Sequence, residues 1–256
     1  MLTIEWKAFI ANRRFLFLSL APLLLAVIAA FSYYAAASVG LTYVTGYTFL
    51  IATVNLYSLL FLPFLGVAIG NHLILAEFNW RTIRRPFIEH IPRRRFILAK
   101  AAIAAIALFL LMAPYFLACT ILADAFFGFG QLLIEDHAFS TAGGLIRATG
   151  AYLWGGFILY IFVVLGQILL LRVRNSTVAI LGSLLPFYIF VAFGKQLPLP
   201  PIRSIFQLSE HILLSSAFDR NMAYDFFSAL AAWGVIILAL LFLQIYLFNR
   251  QDITPS

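Results

Sequence analysis

"FILAKAAIAAIALFLLMAPYFLACTILA", Phe96 to Ala123, is a long apolar run whose one charged side chain, Lys100, lies near its start. A run of about twenty apolar residues crosses the hydrocarbon core of a bilayer as a helix, because lipid offers the backbone no hydrogen-bond partner. The rest of the chain has the same character. Hydrophobic residues make up 64% and charged residues 11% of its 256 positions, and mean hydropathy is +1.01, whereas apolar residues are roughly half of a soluble globular domain. The chain therefore reads as an integral membrane protein.

Five further runs qualify on either side of this one: Phe15 to Ala37, Tyr47 to Leu75, Ala148 to Leu171, Thr177 to Phe193 and Phe226 to Phe248. The expected fold is an all-α polytopic membrane protein of six transmembrane helices, a single domain over residues 1–256. The first run is too long for the apolar part of a secretory leader, so a span is expected there and not a cleaved signal. Before it, residues 1–14, "MLTIEWKAFIANRR", place Leu2, Trp6, Phe9 and Ile10 on one side of an amphipathic surface helix. After the "KQLPLPP" break, weak apolar character resumes in "IRSIFQLSEHILLSSAF", and residues 194–225 read as an outer loop with a re-entrant or surface helix.

Orientation follows from lysine and arginine. With the N-terminus inside, the inner face carries Lys7, Arg13, Arg14, Arg81, Arg84, Arg85, Arg93, Arg94, Arg95, Lys100, Arg172, Arg174 and Arg250, and the outer face keeps Arg147, Lys195, Arg203 and Arg220. That bias predicts both termini in the cytoplasm, with the chain in the inner (plasma) membrane. It also accounts for the net charge of +7 without a nucleic-acid partner.

Several chemistries are absent from the pattern. The one Gly-Lys pair, Gly194-Lys195, lacks the remainder of a phosphate-binding loop, and there is no G-x-S-x-G or H-E-x-x-H. Glu135 to His137, "EDH", reads as a solvated outer loop and not as a metal site. The single cysteine, Cys119, excludes an internal disulfide. Ion-coupled transporters keep acidic or basic groups within their spans, since a charge in lipid is too costly to retain without a role. The central parts of these runs hold none, and Asn55, Gln167 and Gln244 read as interhelical hydrogen-bond partners. Pro22, Pro63, Pro114 and Pro186 interrupt four spans, and "GVAIG", Gly66 to Gly70, offers a small-residue face for close helix contact.

The stretch "EFNWRTIRRPFIEHIPRRRFILAK", Glu77 to Lys100, gathers six arginines between two spans. Retention on the inner side explains their number but not their arrangement. Trp80, Ile83 and Phe87 recur at helical spacing on one face, while Arg81, Arg84 and Arg85 project elsewhere. Pro86 breaks or kinks that helix. Such a segment binds anionic lipid or docks on a soluble partner.

This stretch resembles the loop after the second span of ABC-2-type ABC transporter permeases. Glu77 matches the family's acid, Thr82-Ile83-Arg84 its Thr-Leu-Arg-like triplet, Arg93 its turn arginine, and "FILAK" (Phe96 to Lys100) the start of its third span. "EWKAFIANRRF" near the N-terminus is similar to its surface helix, and "FNRQDI" to its closing Phe-x-x-x-Asp. Two features depart from the pattern: His90 stands where the family has a proline, with Pro92 two residues on, and Pro86 falls inside the docking helix.

The resemblance implies a permease subunit, of the compact type that exports bacteriocin-like peptides or confers immunity to them. It pairs with a second copy or a related chain and couples to a separate ATPase subunit. Residues 76–95 would then be the cytoplasmic coupling loop. Glu77, Trp80, Arg81, Thr82, Ile83, Arg84, Phe87 and Arg93 would dock on the ATPase, and Arg172 and Arg174 would give a lesser contact. ATP and Mg would sit on the partner, with no cofactor and no catalytic residue in this chain. A non-transporting scaffold subunit and a membrane-embedded enzyme are the rival readings. The enzyme would need clustered polar groups at depth.

Overall fold

The computed structural model describes residues 13–40, 45–47, 49–50, 53, 62–79, 92–129, 132–134, 137–193 and 220–250. The described residues form six helices and one short hairpin. Helix α1 spans Arg13–Ser38, α2 Leu62–Asn79 and α3 Arg93–Phe127. Strands β1 (Leu132–Ile134) and β2 (His137–Phe139) follow, then α4 (Thr141–Val173), α5 (Ser176–Phe193) and α6 (Arg220–Asn249). The opening run lies within α3, whose 35 residues extend about 50 Å, well beyond a hydrocarbon core of about 30 Å. Among the described residues, four helices are long and apolar enough to cross a membrane: α1 from Leu20, α3, α4 and α6 from Leu230. The apolar stretches of α2 and α5, Pro63–Leu75 and Ser176–Pro186, are shorter.

Burial sorts these helices. The apolar windows of α3 and α4 are 61% and 65% buried, against 22% and 17% for α1 and α6. The bundle is thus built around α3 and α4, with α4 packed on α2, α3, α5 and α6, and α1 lying on α3. The outer helices leave large apolar side chains uncovered, among them Leu24, Ile28 and Phe31 on α1 and Val235, Leu238 and Phe242 on α6. In water such faces would be a liability. Against lipid tails they are the expected surface.

The tightest seam joins α2 to α4 and explains the "GVAIG" glycines. A Cβ on Gly66 would stand 3.2 Å from Val163 Cγ2, and one on Gly70 would stand 2.5 Å from Val163 Cγ1. Reciprocally, a Cβ on Gly166 of α4 would stand 2.7 Å from Val67 Cγ1 of α2. Each helix thus places a valine where the other lacks a side chain, which lets the backbones approach closely enough to gain dispersion contacts in the absence of a hydrophobic drive.

The sequence predicts no strand, yet β1 and β2 pair antiparallel, with Leu132 opposite Phe139 and Ile134 opposite His137. Strands of three residues are too short to produce a readable alternation. The hairpin sits at the end of the bundle where α3 stops and α4 begins. There Gly128, at φ 70°, turns the chain out of α3, and Ser140 Oγ accepts from the Gly143 amide at 3.3 Å to cap α4. Tyr47 closes the same end: its hydroxyl donates to Thr141 O at 3.1 Å, and its ring lies so close to Gly144 that a Cβ there would collide with it. Phe31 and Tyr34, late in α1, pack on Phe126, so α1 runs toward this end and its arginines start from the other.

Candidate functional site

The opposite end of the bundle is basic. Arg93, Arg94 and Arg95 open α3, Arg172 and Arg174 close α4, and Arg250 follows α6. Two of these elements, α3 and α6, are joined by specific contacts. Arg93 Nη1 donates to Asn249 O at 2.9 Å, which gives a cation to the carboxyl end of α6 where helix carbonyls lack partners. Phe96 stacks on Phe248, with centroids 5.6 Å apart and planes inclined by 17°. Arg174 adopts the left-handed conformation, φ 56°, and its amide bonds Leu170 O at 2.8 Å to end α4. Asn175 Oδ1 then accepts from the amides of Thr177 at 3.0 Å and Val178 at 3.2 Å to start α5.

Beneath the arginines lies an apolar layer drawn from five helices: Ile74, Phe96, Ile97, Leu170, Leu171, Ala179 and Phe248. Lys100 is buried beside it, 2% exposed, with its ammonium 5.3 Å from the centre of the Phe96 ring, within cation–π range. One helical turn further from the arginines, four of the same helices present polar side chains that are 0% exposed: Asn71, Gln167, Ser183 and Gln244. Gln244 Nε2 donates to Gln167 Oε1 at 3.0 Å, and Gln167 Nε2 donates to Gly70 O at 3.1 Å. The two glutamines thus link α6, α4 and α2 by hydrogen bonds, the role expected for them. Ser183 Oγ donates to Ile180 O at 3.0 Å. Both polar atoms of Asn71 and the Gln244 Oε1 have no hydrogen-bond partner among the described residues.

Of the residues predicted from sequence, Arg93, Arg172 and Arg174 are gathered at the basic end, Arg172 and Arg174 exposed and Arg93 half-buried. Glu77 lies in the last turn of α2, so the helix continues past the apolar run toward the arginine-rich stretch. Trp80, Arg81, Thr82, Ile83, Arg84 and Phe87 lie outside the described residues, as do Asn55, the first twelve residues and residues 194–219. Sequence reasoning missed Asn71, Ser183 and Gly166. Their only signal is position: Asn71 follows directly on "GVAIG", one step around the helix from Gly70. Among the described residues, no three of His, Cys, Asp and Glu converge as a metal site would need. Comparison with protein-family models, curated proteins and solved structures finds no match.

Proposed function

We propose that this chain is the membrane-spanning permease subunit of an ATP-driven ABC exporter, with six spans, a surface helix ahead of the first and both termini in the cytoplasm. Two copies, or this chain and a related one, line the path in the plasma membrane. A separate ATPase subunit, which carries ATP and Mg, docks beneath them on the coupling helix within residues 76–95. Trp80, Ile83 and Phe87 enter the ATPase, and Glu77, Arg81, Thr82, Arg84 and Arg93 orient the contact, while Arg172 and Arg174 provide a second touch. The other arginines at this end also meet anionic headgroups, which attract basic side chains near the membrane surface.

The observation that supports this most is the meeting of two family-like stretches far apart in sequence. Phe96 of "FILAK" stacks on Phe248 of "FNRQDI", and Arg93 holds Asn249. A push on the loop ahead of Arg93 therefore reaches α3 and α6 together. The test is isolation from native membranes: recovery of a stoichiometric ATPase subunit supports the reading, and recovery with only non-ATPase partners favours the scaffold.

A further inference from the structure

The apolar window of α6 is the least buried of the four long helices, and its uncovered side chains include one continuous line. Val235, Leu238, Phe242 and Tyr246 are exposed and recur at spacings of three and four, with exposed Arg250 one turn beyond them. From Val235 to Arg250 the helix rises about 22 Å, close to half of the roughly 40–45 Å that a bilayer measures with its headgroups. The line thus has the length of one lipid leaflet. Its end is a cation set on a ring: the Arg250 guanidinium carbon lies 4.6 Å from the centre of Tyr246, a cation–π contact. A ring face engages the charge and leaves the N–H fork to other acceptors. Among the described residues, no acid pairs with Arg250, nor with exposed Arg94 and Arg95. Arg93, next to Arg94, bonds the carbonyl of Asn249, next to Arg250, so the positive charge of two helix ends gathers around one contact. That bond also offsets the negative end of the α6 dipole, which would otherwise oppose an anion there.

A stripe that is apolar over one leaflet and ends in an unpaired planar cation is complementary to a phospholipid with net negative charge, because a guanidinium fork matches phosphate oxygens two at a time. A zwitterionic headgroup offers the same phosphate, but its ammonium would face the neighbouring guanidiniums. Free phosphate would match Arg250 and leave the apolar line unused. A second copy packed on the same face about a two-fold axis along the membrane normal would bring Arg250 toward its own counterpart, a like-charge contact. We propose that this face of α6 seats one anionic phospholipid, with its phosphate on Arg250 and an acyl chain laid along Tyr246, Phe242, Leu238 and Val235. The inference goes beyond a general attraction of arginines to headgroups in assigning one lipid to one helix face, and it does not depend on the transport reading.

The test is native mass spectrometry of the full chain released from bilayers holding equal amounts of dioleoylphosphatidylglycerol and dioleoylphosphatidylcholine. One phosphatidylglycerol is expected to stay bound, favoured about fivefold over phosphatidylcholine, the preference that one basic group near a membrane surface supports. Arg250→Gln should abolish that preference. Arg172→Gln, which removes an exposed arginine from the end of α4, should leave it intact. Equal retention of the two lipids by the wild type, an undiminished preference in Arg250→Gln, or the same loss from both variants would each show that no lipid is held at Arg250 in particular, and the proposal fails. Displacement of the lipid by inorganic phosphate would assign the cation to a soluble anion and overturn it. A Leu238→Cys chain in a Cys119→Ala background should stay monomeric under oxidation in native membranes; near-complete conversion to a disulfide dimer would give the face to a second copy and contradict the proposal.

Discussion

Arg174 sits at φ 56°, the left-handed region that side chains with a Cβ avoid, and does so in a turn that ends α4 and leads directly into α5. Glycine adopts that conformation freely, so retention of arginine sacrifices about 1 kcal/mol of local stability. Arg174→Gly is expected to raise the thermal midpoint slightly while weakening association with a cytoplasmic partner; a fall in the midpoint would show that the guanidinium stabilises the fold itself. The α2–α4 seam makes the opposite prediction. Gly70→Leu drives a side chain into Val163, and such overpacking costs about 1–3 kcal/mol. Val163→Ala should recover part of that loss, and an absence of rescue would mean that another neighbour resists the substitution. Residue-scale detail is only partly legible in the sequence. Gln167 and Gln244 announce themselves as long amides in apolar runs. Asn71 and Ser183 gain meaning only from the face they present, which a nearly uniform apolar helix does not encode, since its lipid-facing and buried sides are built from the same residue types.

Helices are the legible elements. Runs of apolar residues must be helical in lipid whatever their neighbours, so α1, α3, α4, α5 and α6 fall where hydropathy places them, and each extends beyond its run as polar or glycine-containing flanks continue the hydrogen bonding. The hairpin is not legible because its pairing depends on a contact between two three-residue segments and on no periodic pattern. The most consequential element contact is the stack of α3 on α6 through Phe96 and Phe248, which caps the polar layer. In a Cys119→Ala background, a cysteine at Ser183 should react slowly with a small thiol reagent applied from the basic side. Phe248→Ala should raise that rate on the order of tenfold, because loss of a buried aromatic ring opens a cavity that water can enter once polar groups line its far side. Phe242→Ala, on the outer face of α6 and 66% exposed, should leave the rate unchanged. Equal acceleration by both variants would mean that reactivity reports general loosening and not an apolar seal.

Over the whole molecule, the arginines at one end and the hairpin at the other define an axis, and the account places the arginines inside the cell. Single cysteines at Thr42 and Ser140 should be modified by an impermeant reagent outside intact cells and one at Ser176 should be protected; the reverse pattern would invert the topology. The functional proposal makes a sharper demand of the stretch from Glu77 to Arg95, where charge retention and ATPase docking predict different things of Trp80 and Phe87. Neither side chain alters the charge bias, so retention alone leaves both expendable. As docking anchors, each should contribute on the order of 2 kcal/mol, roughly thirtyfold in affinity. The decisive measurement is ATPase co-purification with the Trp80→Ala, Phe87→Ala double variant beside the wild type, with topology assayed in parallel. The account predicts normal insertion with the ATPase lost from the variant and present with the wild type, whereas equal recovery of an ATPase with both, or with neither, would contradict it.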